Sequence, residues 1–122
     1  MTENQNSKQY NLEDRTLCFA KEIGIYVNKL PFTVPNKEYG KQLVRSASSV
    51  GANYLEANEA LSKKDFLMRI KISRKEAKET RFWLQLTEPL PEMNSARDKF
   101  IQEITELMKI FGAIIEKSKP NV

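Results

Sequence analysis

Apolar residues recur three and four positions apart along four stretches of the chain, and prolines mark the breaks between them. In the first stretch Leu12, Phe19, Ile23, Tyr26, Val27 and Leu30 share one face at 3.6 residues per turn. This spacing predicts a helix over about 12–30. Asn11 is placed to cap it, because an Asn side chain can accept from a free amide of the first turn, and Pro31 ends it. A second helix is expected over about 36–61, with Gly40, Leu43, Val44, Ala47, Val50, Gly51, Tyr54 and Leu55 as its inner stripe. The third is expected over 63–87. There Ser62 and Asp65 have the spacing of a capping box, with Asp in place of Glu. The fourth, over 94–117, carries Phe100, Ile101, Ile104, Leu107, Met108, Phe111, Ile114 and Ile115. No stretch alternates apolar and polar residues over a convincing length, so no strand competes. Four helices joined by short connections predict an all-α fold, an antiparallel up-down four-helix bundle spanning 11–118. Residues 1–10 are expected to form a flexible N-terminal tail, and residues 119–122 a C-terminal tail.

The pattern holds more than one bundle needs. All four glycines lie inside helical stretches. Gly40 and Gly51 each cost about 1 kcal/mol relative to Ala in a helix interior, which points to close packing against them. On the third helix, Phe66, Ile70, Ser73, Ala77, Thr80 and Leu84 form one seam, small and weakly polar in its middle. Met68, Ile72, Trp83 and Leu86 form a second strip, interrupted by Glu76 and Glu79. That strip is either the edge of a wide core face or a surface covered by another subunit. On the second helix, Arg45, Ser49, Ala52 and Glu56 line a separate face with Ser46 and Asn53 beside it, either a solvated polar face or a second part of an interface. Together Arg45, Ser46, Ser49, Asn53, Glu56, Met68, Ile72, Glu79, Trp83 and Leu86 make up the candidate oligomer interface.

Composition narrows the chemistry. The chain has 122 residues, one ordinary domain, and is 40% apolar and 30% charged, which is a globular balance. It has no His and a single Cys, so Ser-His-Asp and Cys-His catalysis, His-containing zinc sites and an internal disulfide are excluded. Cys18 reads as a packing residue in an apolar helix. Glu76 and Glu79, one turn apart, are the carboxylates best placed for a metal. A di-metal bundle supplies Glu-x-x-His pairs, and none exists here. No phosphate-cradling glycine loop is present. No catalytic, metal or cofactor site is therefore expected. No leader is read near Met1, no apolar run approaches the ~20 residues that span a bilayer, and the lone Cys fits a reducing cytoplasm.

The net charge of +4 is local. Basic and acidic residues balance four to four over 1–31, three to three over 32–61 and five to five over 91–122. Residues 62–90 hold eight basic and four acidic side chains. Lys64, Lys71, Arg74, Lys75, Lys78 and Arg81 fall within about a third of the helical wheel, and Phe82 lies in the same sector. Such a stripe is either a solvated face or a surface that neutralises phosphates, multiplied in an oligomer. The aromatic ring can stack on a base. No base-reading motif accompanies it.

The run Arg45-Ser46-Ala47-Ser48-Ser49-Val50-Gly51-Ala52-Asn53-Tyr54-Leu55-Glu56 resembles the hallmark of the four-helix-bundle family named after the 23S rRNA intervening sequence, also described as S23 ribosomal protein-like. Ser62-Lys63-Lys64-Asp65-Phe66 and the stretch from Ser73 to Glu79 also resemble it, and the likeness extends from about Leu12 to Ile115. Ala57-Asn58 departs from it, since many members have glycine after the glutamate. The resemblance implies a small bundle that assembles as a ring-like homopentamer, without an established biochemical activity. It also implies kinship with the accessory variability determinants of diversity-generating retroelements, which associate with a reverse transcriptase and nucleic acid. The expectation is a non-enzymatic cytoplasmic homo-oligomer that binds RNA or DNA through the basic stripe and has no membrane partner. The alternative is a protein-interaction scaffold that binds no nucleic acid.

Overall fold

The structure, a computed structural model, describes residues 11–119. Of the expected tails over 1–10 and 119–122, residues 1–10 and 120–122 lie outside the described residues, and Lys119 is described as the cap of the last helix. The rest folds as α1 (Leu12–Asn28), α2 (Val34–Asn58), α3 (Lys63–Leu86) and α4 (Asn94–Ser118), with a single turn of 3-10 helix at Pro91–Met93 before α4.

Each boundary has a local cause. Asn11 Oδ1 accepts from the Asp14 amide at 2.9 Å and starts α1. Ser62 Oγ does the same for α3, from the Asp65 amide at 3.1 Å. The expected helix over 36–61 begins two residues earlier, because Thr33 is the cap: its hydroxyl accepts from the Asn36 amide, and Pro35 occupies the first turn where no donor is needed. Its last helical residue is Asn58, and α1 likewise stops at Asn28, ahead of Pro31.

The helices run antiparallel. Ser46 meets Thr80, Val50 meets Ser73 and Asn53 meets Arg69, so α2 and α3 pass in opposite directions. Across α1 and α4, Tyr26 packs edge-on to Phe100, and Arg15 pairs with Glu103 and Glu106. The core between them is Phe19, Ile23 and Tyr26 from α1, Leu43, Ala47 and Val50 from α2, Ile70, Ala77 and Leu84 from α3, and Ile104, Leu107, Phe111 and Ile115 from α4.

Two close approaches draw α2 inward. Toward α3, its Ser46 is fully buried. The Thr80 hydroxyl donates to Ser46 Oγ at 2.8 Å, and the Ser73 hydroxyl donates to the Val50 carbonyl at 2.9 Å. Toward α1, a Cβ at Gly40 would stand 2.9 Å from Val27 Cγ1, and one at Gly51 would stand 2.8 Å from Thr16 Oγ1. The close packing read from these glycines is therefore against α1. Val44 and Leu55, expected in the inner stripe, are instead 40% and 50% exposed. At 100° per residue they fall just beyond Gly40 and Gly51, past the edge of α1.

One end of the bundle is tied by polar groups. The Asn36 side chain donates to the Pro31 and Glu88 carbonyls and accepts from the Glu88 amide, joining the α1–α2 turn to the α3–α4 connection. Beside it the Thr87 hydroxyl donates to the Leu84 carbonyl, which leaves Tyr26 Oη to donate to Thr87 Oγ1. Among the described residues no helix is long and apolar enough to cross a membrane.

The glycines give a paired test. Gly24 is exposed with nothing within 4 Å of an added Cβ. Gly24→Ala should raise stability by up to about 1 kcal/mol. At Gly51 the obstacle is Thr16, buried and hydrogen-bonded from Oγ1 to the Leu12 carbonyl at 2.8 Å, so it cannot swing aside freely. Gly51→Ala should lose about 1–3 kcal/mol to overpacking, outweighing its helix-propensity gain. Denaturant midpoints moving in opposite directions are the expected result.

Candidate nucleic-acid interface and assembly face

The α3 seam fixes where every other side chain of that helix must point. With Ile70, Ser73, Ala77, Thr80 and Leu84 buried, the opposite sector faces outward. Lys64, Lys71, Arg74, Lys75 and Lys78 are exposed there and Arg81 is half-buried. Arg81 Nη1 donates to Thr105 Oγ1 of α4 at 3.3 Å, and Arg74 reaches toward Gly112 of α4. Among the described residues, none of the six cations lies within ion-pair distance of a carboxylate. Phe82, 52% exposed, stands at the end of the stripe beside Lys78.

The α2-facing flank of α3 has a different character. Arg45 of α2 spans Glu76 and Glu79 of α3, with Nη1 3.3 Å from Glu76 and Nη2 bonded to Glu79. Its Nε donates to Gln42 at 3.0 Å. The Trp83 indole N–H donates to the same Glu79 oxygen at 3.1 Å. Tyr39 packs against Trp83 from α2, with ring centroids 6.2 Å apart, and Phe82 meets it edge-on at 5.0 Å. Tyr39 and Gln42 escaped the sequence reading, because neither belongs to a stripe of like residues.

The candidate interface residues divide. Ser46 does not belong to the outer face. It is fully buried against α3, since a small hydroxyl that bonds within the seam is tolerated inside. Asn53 is half-buried and accepts from Arg69 Nη1 at 2.9 Å. Trp83 packs on the core edge, while Met68 is 47% exposed and Ile72, Leu86 and Ser49 are half-buried. Arg45 and Glu56 are exposed. Of the ten, Ser46 alone is buried, and the other nine keep some exposed surface on α2 and α3.

One other residue falls differently from the sequence reading. Cys18 is exposed rather than packed, one position off the inward face that Phe19 occupies. Partial burial, then the nearby Glu22 carboxylate, push its thiol above the ordinary value, opposite to what a nucleophile needs. Glu76 and Glu79 share their cation, the guanidinium of Arg45, so a metal there would have to displace it. Among the described residues no group of three potential metal ligands converges.

Residues 8–113 match the family described as 23S rRNA-intervening sequence protein. The chain belongs to this family. A crystal structure at 1.70 Å from Bacteroides thetaiotaomicron VPI-5482, described as a protein with unknown function from the S23 ribosomal protein family, is 34% identical. It superposes with a TM-score of 0.70, over 86% of this chain and 98% of that one. No curated protein matches.

The Arg45 clamp is testable. Arg45 is nearly half exposed, so its pairing should contribute no more than about 1 kcal/mol. Arg45→Leu should lower the unfolding free energy from denaturant titration by no more than that. The loss should shrink in a Glu76→Gln, Glu79→Gln background, as a double-mutant cycle reads it. Equal losses in both backgrounds would mean that the clamp contributes nothing.

Proposed function

We propose that this protein is a non-enzymatic, cytoplasmic homo-oligomer whose α3 stripes together bind RNA or DNA. The carrying observation is the unpaired state of Lys64, Lys71, Arg74, Lys75, Lys78 and Arg81 among the described residues. Arg15 and Arg45, by contrast, each hold two glutamates. Cations not held in an ion pair are free to replace the counterions of a phosphate backbone, and the release of those counterions on binding favours association. Supporting self-association is the α2–α3 outer flank, where Met68, Ile72, Trp83 and Leu86 leave apolar surface for another subunit to cover. A pentamer is the assembly this reading adopts, by analogy with other four-helix bundles of the family.

A second reading keeps the assembly and drops the nucleic acid. The same apolar flank and the exposed Phe32, Val34 and Leu61 favour a scaffold for another protein, such as a reverse transcriptase. Salt separates the two. Nucleic-acid affinity should fall linearly on a log–log plot against salt, by about 0.7–0.9 in slope for each phosphate neutralised. The fourfold change Lys71→Glu, Arg74→Glu, Lys75→Glu, Lys78→Glu should abolish most of it without unfolding these exposed positions. Unaltered affinity would refute the stripe, and salt-insensitive absence of binding would favour the scaffold.

Light scattering should give a multiple of 14.1 kDa at micromolar concentration. Met68→Glu, which sets a charge on the flank, should shift the mass toward one chain. A 14.1 kDa species for the unaltered protein would overturn the assembly.

A further inference from the structure

Phe82 is the one large apolar side chain on the α3 stripe that is more than half exposed, and it is held in place. Its ring lies at 71° to Trp83, with centroids 5.0 Å apart. Trp83 is fixed in turn by its hydrogen bond to Glu79 and by Tyr39. The aromatic series Tyr39–Trp83–Phe82 therefore runs from α2 to the end of the basic stripe and leaves Phe82 partly uncovered to solvent. Lys75 and Lys78 precede it by two turns and one turn on the same sector, each turn advancing about 5.4 Å. A cation row leading to a fixed, uncovered ring is the arrangement that tracks a backbone and offers its base a stacking partner. A duplex keeps its bases stacked on one another and turns phosphates outward, so it can use the cations and not the ring.

We propose, resting on the nucleic-acid reading above, that the ligand class is single-stranded nucleic acid, with one unstacked base lying on Phe82. The ring supplies affinity that is insensitive to salt, while the cations supply the part that salt removes.

Anisotropy titrations of the full chain with a labelled oligothymidylate and with a duplex of equal length test this. The single strand should bind more tightly. Phe82→Ala should weaken it about tenfold, the order expected for one lost base–aromatic contact, while leaving the salt slope and the duplex affinity unchanged. Phe82→Tyr should restore it. Phe82→Leu, which keeps apolar bulk against Trp83, should behave like Phe82→Ala in binding and like the unaltered chain in circular dichroism. If both ligands bind in a salt-dependent way and Phe82→Ala and Phe82→Leu change neither, stacking is overturned while the stripe stands. If neither ligand binds at low salt, stripe and stacking fall together.

Discussion

The approach of α2 to α3 is the constraint on which the remainder of the molecule depends. Where these helices cross, each contributes small side chains: Ser46, Ala47 and Val50 from one, Ser73, Ala77 and Thr80 from the other. The absence of bulk lets the backbones come close. The hydroxyls are then buried and must be satisfied, which Thr80 to Ser46 and Ser73 to the Val50 carbonyl accomplish. An apolar substitution of larger volume would push the helices apart. An unpartnered hydroxyl would cost roughly 1–3 kcal/mol. The seam is therefore specific in shape and in hydrogen bonding, and it sets the rotation of α3 about its own axis.

That rotation distributes everything else. Once the Ser73–Ala77–Thr80 side points at α2 and the core, the flank carrying Glu76, Glu79 and Trp83 comes to lie beside Arg45. The far side carries the lysines into solvent. The opposite flank of α2 closes on α1 through Gly40 and Gly51, where no side chain larger than hydrogen fits without displacing Val27 or Thr16. With both flanks of α2 committed, α4 completes the bundle against α3 and meets α1 mainly through rings and the Arg15 ion pairs.

Periodicity made this architecture legible, because spacing in sequence reports which residues share a face. The caps at Asn11 and Ser62, the α3 seam and the glycine contacts of α2 were readable on that basis. Spacing does not say which neighbour a face meets, and there the reading stopped. Ser46 looked like surface because Ser is usually polar surface, yet its hydroxyl belongs to the seam. Val44 and Leu55 looked like core because they are apolar, yet α2 has a wider apolar arc than its two neighbours cover. Cys18 lies one position off an inward face, the smallest error a helical wheel can make. Asn36 carries no periodic signal, since its partners Pro31 and Glu88 come together only when both ends of the chain's turns meet. In the candidate site, the cations were legible as a stripe. Their unpaired state was not, because it depends on where the acids go.

The acids are the last link between fold and surface. α3 carries only three carboxylates, Asp65, Glu76 and Glu79, against eight cations. Asp65 sits in the first turn, where the helix dipole favours it. Glu79 is four residues after Lys75, the spacing at which a helix pairs opposite charges on its own surface. It does not make that pair. Arg45 reaches across from α2 and takes both Glu76 and Glu79, and the Trp83 indole takes Glu79 as well. The cross-helix clamp thus occupies the two carboxylates of α3 that lie nearest the middle of its own stripe. The same clamp seats Trp83, and through it Phe82. A single arginine on α2 accordingly takes the carboxylates that lie nearest the α3 stripe on its own helix and seats the ring at the end of that stripe. That explains how a bundle with an excess of only four charges presents a concentrated basic face.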